Sequence, residues 1–410
     1  MSSTAPEVTV RSIAAGGDGV ATLEDGRTVF IPRAAPGDRL RLRSVRTHAR
    51  FARAEIAEIL GHGEGRVTPP CPHYVADRCG GCQLMHLTPA LQREVKARNA
   101  GDALRRIAKL DVADPVVTPS PVQLGYRAKV TFAMADGVLG YHRAGDAARV
   151  FEVRDCLLAE PAVRALHQAV RAARAALPPN TSRVVLRRDR DDSLHVVVRT
   201  EDGEAWRRGP VLHERLRAAG IEAVIWWHPE GGAPRAVAGS EDPWPATVFE
   251  QIHPAMGAVV RQTAIDALGP LGGQHAWDLY AGIGETTEAL VVGGATVESV
   301  ELDARAVAYA ERTGVSGPRR LTGRAEDRIV QLHPPALVIT NPPRTGMDAA
   351  VTAALAASTA QRIAYISCDA ATLARDLARM SDAFRLVRVD GFDQFPQTAH
   401  LECVAVLERK

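Results

Sequence analysis

Four short apolar runs, HAWDLYA, TVESVEL, ALVITN and RIAYIS, lie between residues 275 and 367 and alternate with helix-like segments. Parallel neighbours cannot be joined by a tight turn, because the chain must cross from the end of one strand to the start of the next. The alternation therefore predicts a doubly wound, mostly parallel α/β domain over residues 246–410. The last two runs, FRLVRVDGF and HLECVAVLER, stand too close together for a helical crossover and are expected to form an antiparallel pair at the end of that sheet.

Such a sheet binds ligands outside the carboxyl ends of its strands. AWDLYAGIGETTEAL reads strand, glycine turn, helix, and Gly282 and Gly284 would let the backbone turn sharply against a ligand. A G-x-G alone is a weak signal, since many such turns only serve packing. Glu301 strengthens it, because it ends the next strand, where one carboxylate can take both hydroxyls of a ribose. NAD and S-adenosylmethionine both satisfy that much. The third glycine of a dinucleotide fingerprint is missing, because Glu285, Thr286 and Thr287 follow Gly284; this favours S-adenosylmethionine. ALVIT then runs into Asn341-Pro342-Pro343-Arg344, with Arg344 where an amine-methylating enzyme usually has an aromatic residue.

Cys368 stands where the fifth strand meets its helix, on the edge that carries the cofactor loops. Free N–H groups at that helix start are expected to favour the thiolate. A lone cysteine is more often buried and inert, but these neighbours reverse that ordering. A thiolate beside a methyl donor suits methylation of a pyrimidine carbon. C5 of uracil is too weak a nucleophile to attack a sulfonium; addition of the thiolate to C6 makes C5 enolate-like, and a base must later remove the C5 proton. Glu402, opening the final strand with Cys403 turned to the opposite face, is the candidate base, although a glutamate there could also simply end an exposed strand.

Residues 1–58 read as short β-rich runs split by Gly, Asp-Gly and Pro-Gly turns, which predicts a five-stranded OB-like barrel. Arg39, Arg41 and Arg43 alternate there, followed by Arg46, Arg50 and Arg53, as either a solvated face or a phosphate-binding one. Residues 59–245 read as an α+β region ending in the loop HPEGGAPRAVAGSEDPWP. Cys71, Cys79 and Cys82 cluster at its start and Cys156 follows. In a reducing compartment such a set favours metal binding or catalysis over disulfides, and spacing alone fits zinc as well as iron–sulfur. The N-terminus shows no leader pattern and no apolar run reaches the length of a membrane span, so a cytoplasmic location without membrane contact is expected. The net charge of +2 neither requires nor excludes nucleic acid, and no obligate protein partner is indicated.

Taken together, the motifs resemble the RNA 5-methyluridine methyltransferases, and in particular the 23S ribosomal RNA uracil-C5 branch with an N-terminal TRAM domain and a [4Fe-4S] cluster. The resemblance spans the chain: GDGVATLEDGRTVFIPRAAPGDRLRLR resembles TRAM, CGGCQLMHL the cluster loop, VFEQIHPAM the lead-in to the catalytic domain, and DLYAGIG the cofactor loop. NPPRTG, SCDAATLARDL and HLE follow in the family's order. It implies that Cys71, Cys79, Cys82 and Cys156 hold the cluster. Gln251, Tyr280, Gly282, Gly284, Glu285, Glu301 and Asn341 would then form the S-adenosylmethionine site, with Cys368 the nucleophile and Glu402 the base. It also makes the arginine run, with Tyr126, Arg127 and Lys129, an RNA contact, and favours 23S rRNA over tRNA as substrate. The departures are a longer gap from Cys71 to Cys79, Asn341 for Asp, Glu285 for Asn or Thr, Ala281 for Cys and His253 for Asn; altered cofactor affinity rather than lost chemistry is expected from them. A nucleobase N-methyltransferase, for which Cys368 would be dispensable, and a non-catalytic RNA-binding factor are the other readings.

Overall fold

The computed structural model describes residues 5–240 and 244–410; the first four residues and Glu241–Pro243 of the boundary loop lie outside the described residues. Three sheets organise the chain.

The first spans residues 7–61 and has six strands. Its two outermost strands, Glu7–Thr9 and Ser12–Ile13, are halves of one segment, so a single stretch of chain bonds both edges. Val8 lies opposite Leu40 on one side and Ser12 opposite Val20 on the other. The curled sheet encloses Val10, Val29, Ile31, Leu40, Leu42 and Ala52. The alternation that buries Leu40 and Leu42 turns Arg39, Arg41 and Arg43 outward. That face is not a free basic stripe. Arg41 pairs with Glu7 at 2.9 Å and with Glu58, Arg43 reaches Glu55 at 3.5 Å, and Arg53 reaches Asp18 at 3.2 Å.

The second sheet has seven strands between Lys129 and Ala238. The helices Pro161–Ala172 and Gly209–Ala218 cover it with Val163, Leu166, Leu212 and Leu216, which meet Phe132, Leu186, Val198 and Trp227.

In the third sheet the strands run in the order Arg319–Thr322, Thr296–Glu301, His275–Leu279, Leu337–Thr340, Arg362–Ser367, Glu402–Arg409 and Phe384–Phe392. The first five are parallel, Glu402–Arg409 is antiparallel to both its neighbours and Phe384–Phe392 again runs with the first five, so the chain doubles back and inserts its final strand beside Arg362–Ser367. Four of these are the strands read from the apolar runs. Arg319–Thr322 is an addition: four residues with two arginines carry no apolar run to reveal an edge strand. Cys403 points into the core with Tyr365, Leu373 and Leu377. Ala100 and Leu104 of the long helix Pro89–Arg106 join that same core, and Val116–Thr118 extends the sheet beside Phe384–Phe392. Sequence had grouped this helix with the central region; its apolar face seats on Ala370–Met380 instead.

Candidate active site

The loops after His275–Leu279, Leu337–Thr340 and Arg362–Ser367 open on one sheet edge, and the sequence-derived candidates divide there into a cofactor end and a chemical end. At the cofactor end the chain leaves His275–Leu279 with Tyr280, Gly282 and Gly284 all in the left-handed region, at φ 63°, 57° and 87°. Only Tyr280 must bear this with a side chain. A Cβ at Gly282 would meet nothing within 4 Å, whereas one at Gly284 would come within 3.3 Å of Ala310 Cβ. Glu301 fastens the turn, its Oε2 accepting from Gly282 N at 2.8 Å and its Oε1 from Asp303 N at 2.7 Å.

Asp278 is a residue the sequence reading missed. It is buried beneath the turn and accepts hydrogen bonds from Thr286 Oγ1 and Thr287 Oγ1, each at 2.6 Å. Burial pushes its carboxyl up to about 6, with the two threonines pulling the other way. The available signal was an acid inside the apolar strand AWDLYA, in front of a threonine pair.

Gln251, Tyr280, Gly282, Glu285 and Asn341 line one pocket, closed behind by Ile366. Gly284 caps the helix Glu285–Val292 behind it. Gln251 Oε1 accepts from Gln394 Nε2 at 3.0 Å. Glu285 spends its charge on protein: Arg261 lies at 2.9 Å and Arg190, from the central sheet, at 3.1 Å.

At the chemical end Cys368 follows the strand Arg362–Ser367 and precedes the helix Ala370–Met380. The expectation that helix N–H groups would favour its thiolate is corrected here, because Asp369 takes them, accepting from Ala371 N at 3.0 Å and Thr372 N at 2.9 Å. Burial, and then the Glu402 carboxylate, hold the Cys368 thiol above its ordinary value; the nearby positive charge of Arg344 pulls it back. Glu402 is itself buried and pushed up to about 8, again with Arg344 opposing. One guanidinium thus serves two acids. Each can ionise beside it in turn, which a thiol that adds and a carboxylate that later accepts a proton both require.

Cys71, Cys79, Cys82 and Cys156 are free thiols around one cavity. Gly81 N donates to Cys79 Sγ at 3.4 Å and Tyr141 Oη to Cys156 Sγ at 3.8 Å. Among the described residues no three His, Cys, Asp or Glu side chains close on one point as ligands of a single metal ion. Tyr126 is not placed for RNA: it is buried and its hydroxyl donates to Pro396 O at 2.9 Å. Lys129 faces a polar hollow, where burial pushes its ammonium down to about 8.

A doubly wound sheet with this glycine turn and acid-held edge defines the class of S-adenosylmethionine-dependent methyltransferases. A sequence model described as tRNA (Uracil-5-)-methyltransferase matches residues 278–410. The chain is similar to the 23S rRNA (uracil(1939)-C(5))-methyltransferase RlmD of Chromohalobacter salexigens, 32% identical over 432 residues that cover 99% of this chain and 90% of that protein. The RlmD of Acidithiobacillus ferrooxidans is 30% identical over 444 residues, covering 98% and 97%. In fold it matches the Pyrococcus abyssi tRNA (uracil-54, C5)-methyltransferase in complex with S-adenosyl-L-homocysteine, with a TM-score of 0.73, 21% identity and coverage of 99% and 100%. The chain belongs to the RNA uracil-C5 methyltransferase family. Among the described residues no helix is long and apolar enough to cross a membrane.

Proposed function

We propose that the protein methylates C5 of one uridine in folded 23S rRNA, with Cys368 as nucleophile and Glu402 as base. The observation that carries this reading is the placement of a thiol, a buried carboxyl and one arginine within electrostatic reach of each other on the sheet edge that holds the cofactor pocket. The target base is splayed out of its helix to reach Cys368. The thiol loses its proton, its sulfur bonds C6, and C5 takes the methyl group from S-adenosylmethionine, which leaves as S-adenosylhomocysteine. Glu402 then takes the C5 proton, the carbon–sulfur bond breaks and the C5–C6 double bond returns. Gln251, Tyr280, Gly282, Gly284, Glu285, Glu301 and Asn341 form the cofactor site, and the curled N-terminal sheet is a TRAM domain that binds RNA. The similarity to the RlmD proteins supports 23S rRNA over tRNA as the target.

Cys71, Cys79, Cys82 and Cys156 would hold a [4Fe-4S] cluster in the cavity they line. Four thiols line this one cavity, and the resemblance to the cluster-bearing branch of the family favours iron–sulfur over zinc there. A cluster held there would tie the segment 71–82 to Cys156, and the methylation needs no electron from it.

The test is to mix the protein with S-adenosylmethionine and 23S rRNA or tRNA fragments containing 5-fluorouridine. Fluorine cannot leave as a cation, so the reaction stalls with the enzyme attached. A denaturation-resistant adduct mapped to Cys368 is expected on the ribosomal fragment. Methyl transfer to ordinary RNA without any adduct would overturn the thiol mechanism, and an adduct confined to tRNA would overturn the target.

A further inference from the structure

The segment 393–401, DQFPQTAHL, delivers Glu402 to the start of the last strand. It is buried over most of its length, yet its holders come mainly from residues 83–126 rather than from its own sheet. Lys96 Nζ donates to Asp393 Oδ1 at 2.6 Å and to Phe395 O at 3.0 Å, and Tyr126 holds Pro396 O. Gln397 is gripped from every side. Its carbonyl accepts from Gln83 N at 3.1 Å and Leu84 N at 3.0 Å. Its N–H donates to Gln92 Oε1 at 2.8 Å, its Oε1 accepts from Gln92 Nε2 at 3.0 Å, and its Nε2 donates to Gln123 O at 3.3 Å. Two residues on, Ala399 N donates to Gln83 Oε1 at 3.3 Å.

These bonds hold a conformation the loop would not take alone. Gln397 has φ 71°, in the left-handed region, which strains a residue with a Cβ. Such strain persists where the surroundings over-determine it, and it clusters at functional positions. The gripping residues Gln83 and Leu84 follow Cys82 directly in the chain.

We propose that Gln397, clamped by Gln83, Leu84 and Gln92, is a positioning residue that sets Glu402 for removal of the C5 proton, and that the cysteine segment thereby governs the release step. This rests on the assignment of Glu402 as base. The base acts only after the methyl group has moved. A loosened clamp therefore leaves thiol addition and methyl transfer intact and slows product release, so the methylated covalent adduct builds up on ordinary, unfluorinated RNA.

The experiment compares Gln397→Ala, Gln83→Ala and Glu402→Gln with the parent enzyme. It measures the fraction of protein bound to RNA after denaturation, the first-turnover burst of S-adenosylhomocysteine, and KM for S-adenosylmethionine. Gln83→Ala removes one side-chain grip and leaves the Gln397 backbone bonds in place, which guards against a variant that merely misfolds. Expected are an intact burst, an unchanged KM, steady turnover slowed about tenfold in Gln397→Ala and less in Gln83→Ala, and adduct accumulation in both. Burst and turnover falling together, or adduct at the parent level in both, overturns the clamp. If Glu402→Gln itself traps no RNA, the base assignment falls and the clamp with it; if it traps RNA and the clamp variants do not, the clamp alone falls.

Discussion

Lys96 Nζ lies 2.6 Å from Asp393 Oδ1, and neither side chain reaches solvent. Burial pulls the lysine down from its ordinary value while the aspartate holds it up, so the pair is bound to its partner rather than to water. Removing one member strands the other charge. Lys96→Met is expected to lower stability by about 3–5 kcal/mol, and Lys96→Met with Asp393→Leu to recover most of that loss. Urea unfolding reads both, and a single variant within about 1 kcal/mol of the parent would show that water enters the pair.

In the proposed mechanism Glu402, pushed up to about 8 by burial, makes the release step pH-dependent. The ionised form is the base, so breakdown of the covalent adduct should speed up as pH rises through about 8 and level off above it. Stability moves the other way. An unfolded glutamate ionises near 4.5, so from there up to about 8 the folded state holds the extra proton and loses stability as pH rises. Glu402→Gln removes that slope. Its melting temperature should gain on the parent between pH 5 and pH 8.5, and a constant gap across that interval would contradict the buried acid.

Asp278 is not among the residues that line the pocket, yet it fixes the start of the helix that follows the glycine turn. Asp278→Ala would leave the hydroxyls of Thr286 and Thr287 without their acceptor. Two hydrogen bonds to a charged group are at stake, so S-adenosylmethionine should bind roughly tenfold or more weaker, with a smaller loss in the chemical step. Isothermal titration with S-adenosylhomocysteine measures it without RNA.

For the thiol cavity, protein purified without oxygen should be brown, with about four irons per chain. Any one of Cys71→Ser, Cys79→Ser, Cys82→Ser or Cys156→Ser should deplete the colour and lower the melting temperature. Colourless protein carrying one zinc per chain would replace the cluster with a single-ion site.

The catalytic sheet was legible because its signals are local. Apolar runs mark its strands, and Gly282, Glu301 and Cys368 stand at strand ends, where position alone suggests a role. What sequence could not show depends on distant partners. The alternating arginines look like a basic face until Glu7 and Glu58 arrive from neighbouring strands to meet Arg41. Asp369 looks like a spectator beside Cys368 until its side chain takes the helix N–H groups. The family resemblance makes Tyr126 in GYRAKV an RNA contact, and only the fold shows its hydroxyl turned inward to Pro396. Helix Pro89–Arg106 displays an apolar face, but nothing in that face says which sheet will receive it.

The grip on Gln397 also bears on the order in which the molecule is assembled. Gln92 and Gln397 are 305 residues apart, so the first of these contacts closes a very long loop, at an entropic cost of about 5 kcal/mol. Once one is made the rest come almost free of that cost, and the seam closes as a unit. Contacts of such separation form slowly, after each sheet has found its own local pairings. A chain caught at that stage would have its sheets formed but the stretch leading to Glu402 still undocked from Gln83, Leu84 and Gln92.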